Sequence, residues 1–219
     1  MKKVIMKFGG TSMADADRIR ACADFVRQSS GESGRRVVTV VSAMAGVTDA
    51  LLELAAAAGS GHRAAKYALL ADLRKRHEEP AKALGADDAV GQLLDQLDTL
   101  VTGISAVGEL TPRSCDAVVV FGERLSAALM AAALPGSAMT GQQVGIVTDD
   151  NHGEADPLLE LSLYQVNETL NLPLQRGEGI VVTGFDAATQ HGVTTTLGRG
   201  GSDYTATIIG AAVKADEIW

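Results

Sequence analysis

Apolar and polar positions along this chain fall into blocks, and the period of the blocks changes. Lys3 to Phe8 carries Val4-Ile5-Met6 with no turn residue, which predicts a short buried strand. From Asp15 to Gln28 the apolar positions Ile19, Cys22, Ala23 and Val26 recur at three- and four-residue spacing, which predicts a helix with one buried face. Arg36 to Val41 is nearly continuous in β-branched residues, as a strand buried on both faces requires. Strand, helix and strand in this order predict a βαβ unit and a parallel sheet.

Asp49 to Gly108 reads as mostly helical, with breaks expected near Gly59-Ser60-Gly61, Glu79-Pro80 and Gly85. Arg63, Lys66, Arg74, Lys75, Glu78 and Glu79 are assigned to a solvated outer face, together with His62 and His77. Cys115 to Leu134 predicts a further helix, with Val118, Leu125, Leu129 and Ala132 on its apolar face and Pro135-Gly136 at its end. Val144 to Thr148 is strand-like and Asp149 to Gly153 is a loop. Gly179 to Thr183 and Val193 to Thr196 predict strands, Ser202 to Val213 a helix, and Glu217 to Trp219 the start of another strand.

Composition narrows the class. A chain of 219 residues, 46% hydrophobic and only 4% aromatic, fits one large aliphatic domain spanning residues 1–219. Its net charge of −8 gives no general footprint for nucleic acid, so an anionic ligand must be held by local groups. Cys22 and Cys115 form neither a disulfide framework nor a metal spacing and read as small core residues in a reducing compartment. No metal-ligand set stands out in the sequence. The apolar stretch after Met1-Lys2-Lys3 is too short for a signal peptide, and no run approaches a membrane span, so the cytoplasm is the expected location.

Two glycine-rich stretches carry the chemistry. Thr194 to Asp203 packs three glycines, an arginine, an aspartate and several hydroxyls directly before a helix-like run. Glycines let backbone N–H groups close on a phosphate, and a helix N-terminus adds free N–H groups and partial positive charge. Lys7-Phe8-Gly9-Gly10-Thr11-Ser12 places a lysine and two glycines between a strand and a helix, although the lysine precedes the glycines and the stretch is not a P-loop. Both read as sites for small, doubly anionic chemistry.

These two motifs, with Val41-Ser42-Ala43-Met44-Ala45-Gly46-Val47-Thr48 and Phe121-Gly122-Glu123-Arg124-Leu125-Ser126 between them, resemble aspartate kinase in the same order along the chain. The resemblance covers essentially the whole sequence. It implies a three-layer αβα sandwich with a largely parallel central sheet. It also implies transfer of the γ-phosphoryl of ATP, with Mg²⁺, to the side-chain carboxylate of L-aspartate, at the head of lysine, threonine and methionine biosynthesis. The acceptor is already ionised near neutrality, so no general base is required. The resemblance gives Lys7 and Asp203 the catalytic roles. It puts Lys7, Gly9, Gly10, Thr11, Ser42, Gly200 and Gly201 at the phosphates. Thr48, Glu123, Phe185, Arg199 and Ser202 fall at the amino acid, with Arg199 on the α-carboxylate and Glu123 on the α-ammonium. Ser202 and Asp203 also suit the first turn of a helix as caps.

Two departures from the family pattern matter. Asp186-Ala187 stands where the family carries an apolar residue and glycine, which puts the amino-acid loop in question. The segment that grips adenine and ribose, and the regulatory ACT domains, follow in the family and are expected to be missing from residues 1–219. A sheet edge beside Trp219 would then need a cover, from a second copy or a partner chain. Two alternatives stay open: a kinase for a related amino acid, and a non-catalytic fragment or partner subunit without a nucleotide site.

Overall fold

The computed structural model describes residues 1–134 and 136–219, with the side chains of Glu32 and Ser33 left aside. The elements run β1 (Lys3–Phe8), α1 (Ala16–Ser33), β2 (Arg36–Val41), α2 (Val47–Gly59), α3 (Arg63–Leu84), α4 (Asp87–Val107), α5 (Pro112–Val119) and α6 (Phe121–Ala133). They continue β3 (Gly136–Met139), α7 (Gly141–Val144), β4 (Val147–Thr148), α8 (Leu159–Arg176), β5 (Gly179–Thr183), β6 (Asp186–Thr189), β7 (Thr194–Thr196), α9 (Gly201–Val213) and β8 (Glu217–Ile218).

A five-stranded sheet in the order β3-β5-β2-β1-β8 is parallel throughout, and β4-β6-β7 form a second small sheet. Period-two alternation divides the core. Val4, Met6 and Val41 face one cluster, built with α1 to α6, while Ile5, Val38 and Val40 face another, built with α8 and α9. The result is the expected αβα arrangement. Both strands of the βαβ unit are present as read, with Val4 opposite Val37 and Phe8 opposite Val41, while its helix starts after the N-cap Asp15 and runs to Ser33, five residues beyond Gln28.

Several local expectations are corrected. Pro80 does not break its helix: it lies inside α3, buried with Leu70, Leu73, His77 and Ala81. Those residues form one stripe, and its packing carries the helix across the single hydrogen bond a proline removes. The same stripe buries His77 completely, and Lys66 is buried beside Thr102, so neither belongs to the solvated face. His77 donates from Nδ1 to the Leu73 carbonyl while burial pushes its pKa down.

The stretch from Cys115 to Leu134 is two helices meeting at Val120, and Ala132 is exposed. Of the end expected at Pro135-Gly136, Pro135 lies outside the described residues and Gly136 opens β3. Val144 closes the short helix α7, capped by a Thr140–Gln143 box, leaving Val147–Thr148 as strand. Helix α8 and strands β3 and β6 were not anticipated. Among the described residues no helix is long and apolar enough to cross a membrane.

Candidate active site

A cavity of about 710 Å³ opens beyond the C-terminal ends of β1, β2 and β5. Parallel sheets place ligands at this end, where loops diverge from the strands. The cavity is lined by Lys7, Gly10, Ser42, Thr48, Glu123, Phe185 and the run Gly198 to Asp203. Eleven of the thirteen residues singled out from sequence therefore line one space. Gly9 and Thr11 stand outside the lining. Gly9 lies against the Lys7 ammonium, and Thr11 offers its carbonyl to Arg18.

Lys7 leaves the penultimate position of β1, and its Nζ meets Asp203 Oδ1 at 2.7 Å. Asp203 stands in the first turn of α9, where a negative charge suits the helix dipole. The N-cap of α9 is Gly200, at φ 77°, with no side-chain cap. Neither Ser202 nor Asp203 is therefore the N-cap, and of the helix-start role considered for them the first-turn charge of Asp203 is what stands. Ser202 instead packs into the space left by the missing Cβ of Gly184. A left-handed glycine at the cap lets the loop turn sharply and leaves the first turn of α9 facing the cavity.

Gly10 has a steric reason of its own. A Cβ there would stand 2.8 Å from the Ala43 carbonyl oxygen, because the loop after β1 packs directly on the loop after β2. The Ala45 N–H donates to the Gly10 carbonyl across that contact. The second loop, Ser42 to Gly46, runs into the uncapped N-terminus of α2, and Thr48 and Asp49 of its first turn line the cavity.

At the floor, Glu123 on α6 is only 4% exposed. Its Oε1 accepts the Ala43 N–H at 3.0 Å, while Oε2 is buried with no hydrogen-bond partner among the described residues. Burial, reinforced by the nearby Asp186 charge, pushes its pKa up to about 8 against the pull of its backbone hydrogen bonds. On losing its proton, such a buried carboxyl with one oxygen vacant is a receptor for a cation. Arg199, on the exposed loop before α9, forms no ion pair among the described residues.

Phe185 adopts φ 65°, unusual for a residue with a side chain, and is held there from both sides. Its N–H donates to Thr205 Oγ1, and its carbonyl accepts the Leu197 N–H. The Asp186-Ala187 departure is absorbed in the fold. Asp186 is fully buried and meets Arg124 through Nε at 2.9 Å and Nη2 at 3.3 Å, and Ala187 pairs with Thr195 in the small sheet. Sequence reasoning missed this pair and also missed Asp116, a buried carboxylate in the cavity wall. The available signal was a charge inside each apolar run.

The amino acid kinase family model matches residues 2–219. The chain belongs to the amino acid kinase family. Within this family it is similar to the aspartate kinase of Pseudomonas putida, 32% identical over 99% of this chain and 41% of that protein. It is similar also to the chloroplastic aspartokinase 1 of Arabidopsis thaliana, 36% identical over 98% of this chain and 39% of that protein. Among solved structures, aspartokinase III of E. coli in complex with lysine and aspartate superposes with a TM-score of 0.88 at 28% identity, covering 100% of this chain and 48% of that one. The same enzyme in complex with aspartate and ADP superposes with a TM-score of 0.83 at 27% identity, covering 99% and 48%. The chain thus spans about 40% of the length of the two curated relatives.

Proposed function

We propose that this amino acid kinase domain binds L-aspartate and ATP and transfers the γ-phosphoryl group to the aspartate side-chain carboxylate. The observation that carries the reading is the vacant, buried Oε2 of Glu123, in one cavity with the free guanidinium of Arg199 and the Lys7–Asp203 pair. A buried anion and a fork-shaped cation suit the ammonium and carboxylate of a free amino acid. An acylated amine would leave Glu123 without a counter-charge.

The reaction forms a bond from the aspartate carboxylate oxygen to the γ-phosphorus and breaks the bond to the β-phosphate oxygen, giving 4-phospho-L-aspartate and ADP. The nucleophile is already ionised, so the protein's task is to bring an anion to a polyanion. Lys7 supplies the charge for the transferring phosphoryl, and Asp203 fixes its ammonium. Ser42, Gly10 and the open first turn of α9 at Gly200 and Gly201 line the cavity beside that ammonium and suit phosphate oxygens. Thr48, Phe185 and Ser202 bound the amino-acid end.

Magnesium fits this site only in part. Among the described residues no group of three or more histidine, cysteine, aspartate or glutamate side chains converges. Asp203 would hold the ion jointly with substrate phosphates, a usual arrangement for magnesium, and the ion would neutralise phosphate charge. Activity is tested by supplying ATP, Mg²⁺ and hydroxylamine with L-aspartate, L-glutamate or N-acetyl-L-glutamate and measuring hydroxamate from the trapped acyl phosphate. Aspartate should give product and N-acetylglutamate none. Product with the acylated substrate would reject the assigned role of Glu123.

A further inference from the structure

Asp116 is a carboxylate that the reading above leaves without a task. It stands on α5, 2% exposed, and its acceptor positions are shared among groups from two other segments. Oδ1 accepts the Thr196 hydroxyl at 2.7 Å, and Oδ2 accepts His152 Nδ1 at 2.7 Å and the Gly153 N–H at 3.2 Å. Thr196 is the last residue of β7, three positions before Arg199. The loop holding His152 and Gly153 then returns to the same strand, where the Ala155 N–H donates to the Thr196 carbonyl at 2.9 Å. Next to it, the place where a Cβ on Gly198 would stand is 3.1 Å from Glu154 Cγ.

Thr196 is therefore held by side chain and backbone together, and Leu197 is fixed by Phe185. Beyond them the chain turns at two left-handed glycines, Gly198 and Gly200, with exposed Arg199 between and the Gly201 N–H closing the turn on the Gly198 carbonyl at 3.0 Å. A cation on so short and glycine-rich a loop can meet a substrate carboxylate in one geometry only if the loop's entry is rigid.

We infer that Asp116 is a positioning residue: by clamping Thr196 against the 152–155 loop it sets the orientation of Arg199 toward the substrate α-carboxylate. This rests on the aspartate reading of the cavity. The carboxylate acts through its hydrogen bonds and touches no reacting atom.

The test is a double-mutant cycle between Thr196→Val and Arg199→Lys, read as L-aspartate affinity by titration calorimetry. T196V keeps the side-chain shape and removes only the hydroxyl donor. R199K keeps a cation, so binding stays measurable, but loses the guanidinium fork. T196V alone should weaken aspartate binding roughly five- to tenfold, the scale of one hydrogen bond, while Thr196→Ser stays near the parent. In the R199K background the same T196V change should cost less than about twofold, because coupled residues are non-additive. Asp116→Ala, which removes the acceptor of the Thr196 hydroxyl together with those of His152 and Gly153, provides a second variant with the same expected pattern if T196V does not stay folded. An equal loss in both backgrounds, or no loss from T196V and D116A, would overturn the inference while leaving the cavity assignment intact. No aspartate binding by the unsubstituted protein would overturn that assignment and the inference with it.

Discussion

The floor and the rim of the cavity treat carboxylates in opposite ways. At the rim the Asp203 side chain is 72% exposed yet already ion-paired with Lys7. At the floor Glu123 is almost fully buried yet keeps one oxygen without a partner among the described residues, while Asp116 in the cavity wall has both oxygens engaged. Exposed pairs contribute little to stability, so the rim pair is explained better by placing an ammonium than by holding the fold. A buried unpartnered oxygen costs stability, so its retention at the floor points to a ligand that completes it. The comparison separates a carboxylate kept in position, a carboxyl group kept waiting and a carboxylate used as scaffold.

The sharpest way to break this contrast is at the rim. Lys7→Ala should lower turnover by roughly three to five orders of magnitude, the scale of a lost cation at a phosphoryl-transfer centre. Its melting temperature should stay within a few degrees of the parent. Turnover above a tenth of the parent would remove Lys7 from the chemistry.

Behind the floor, Arg124→Leu strips the partner from a fully buried Asp186 and should cost about 3 kcal/mol of stability by denaturant titration. Burial already pushes the Asp186 pKa up, and Arg124 is the main opposing influence. The variant should therefore recover stability as pH falls and Asp186 takes up a proton. A variant as stable as the parent at neutral pH would show that the pair is idle.

Glu123→Gln should raise the KM for aspartate roughly 10- to 100-fold with a much smaller change for ATP, the scale of a lost charged hydrogen bond. The same substitution sharpens the stability side of the comparison. The folded pKa of Glu123 is about 8 against an ordinary 4.5, so between these values the folded state holds the proton and the unfolded state does not. Its contribution is fully present below pH 4.5 and is lost as pH rises through about 8. Relative to E123Q, the ligand-free parent protein should lose stability as pH rises across that window.

The smallest effect lies away from the cavity, at His77. Its folded pKa is depressed by burial, so the unfolded state binds the extra proton first as pH falls below about 6.5. Measured against His77→Leu, the parent should lose roughly 1 kcal/mol of stability per pH unit there. An unchanged slope would show that another group governs the acid limb.

Legibility in the sequence followed the strength of local patterning. The two strands of the βαβ unit were readable to the residue because β1 and β2 are largely buried and need continuous apolar runs, whereas α1 runs on to Ser33, beyond the expected end at Gln28. The glycine loops were readable because their chemistry is concentrated in a few positions. Strand β3 (Gly-Ser-Ala-Met) and β6 (Asp-Ala-Ala-Thr) were not, since neither has strand propensity and both exist through pairing with distant partners. His77 and Lys66 looked solvated because charge and helical period dominate that stretch, and only the packing of α3 shows which side faces inward. Asp116 escaped notice because its partners lie 36, 37 and 80 residues away.

The most direct test of the vacant floor site is the pH dependence of aspartate binding. Calorimetric titration of the parent and of E123Q between pH 6 and 8.5 reads whether the ammonium needs the ionised form of Glu123. If it does, parent affinity rises by up to tenfold per pH unit up to about 8 and then levels, with proton release on binding, while E123Q stays weak and flat. Equal, pH-independent affinity in the two proteins would contradict the account, because the buried carboxylate would then receive nothing from the substrate.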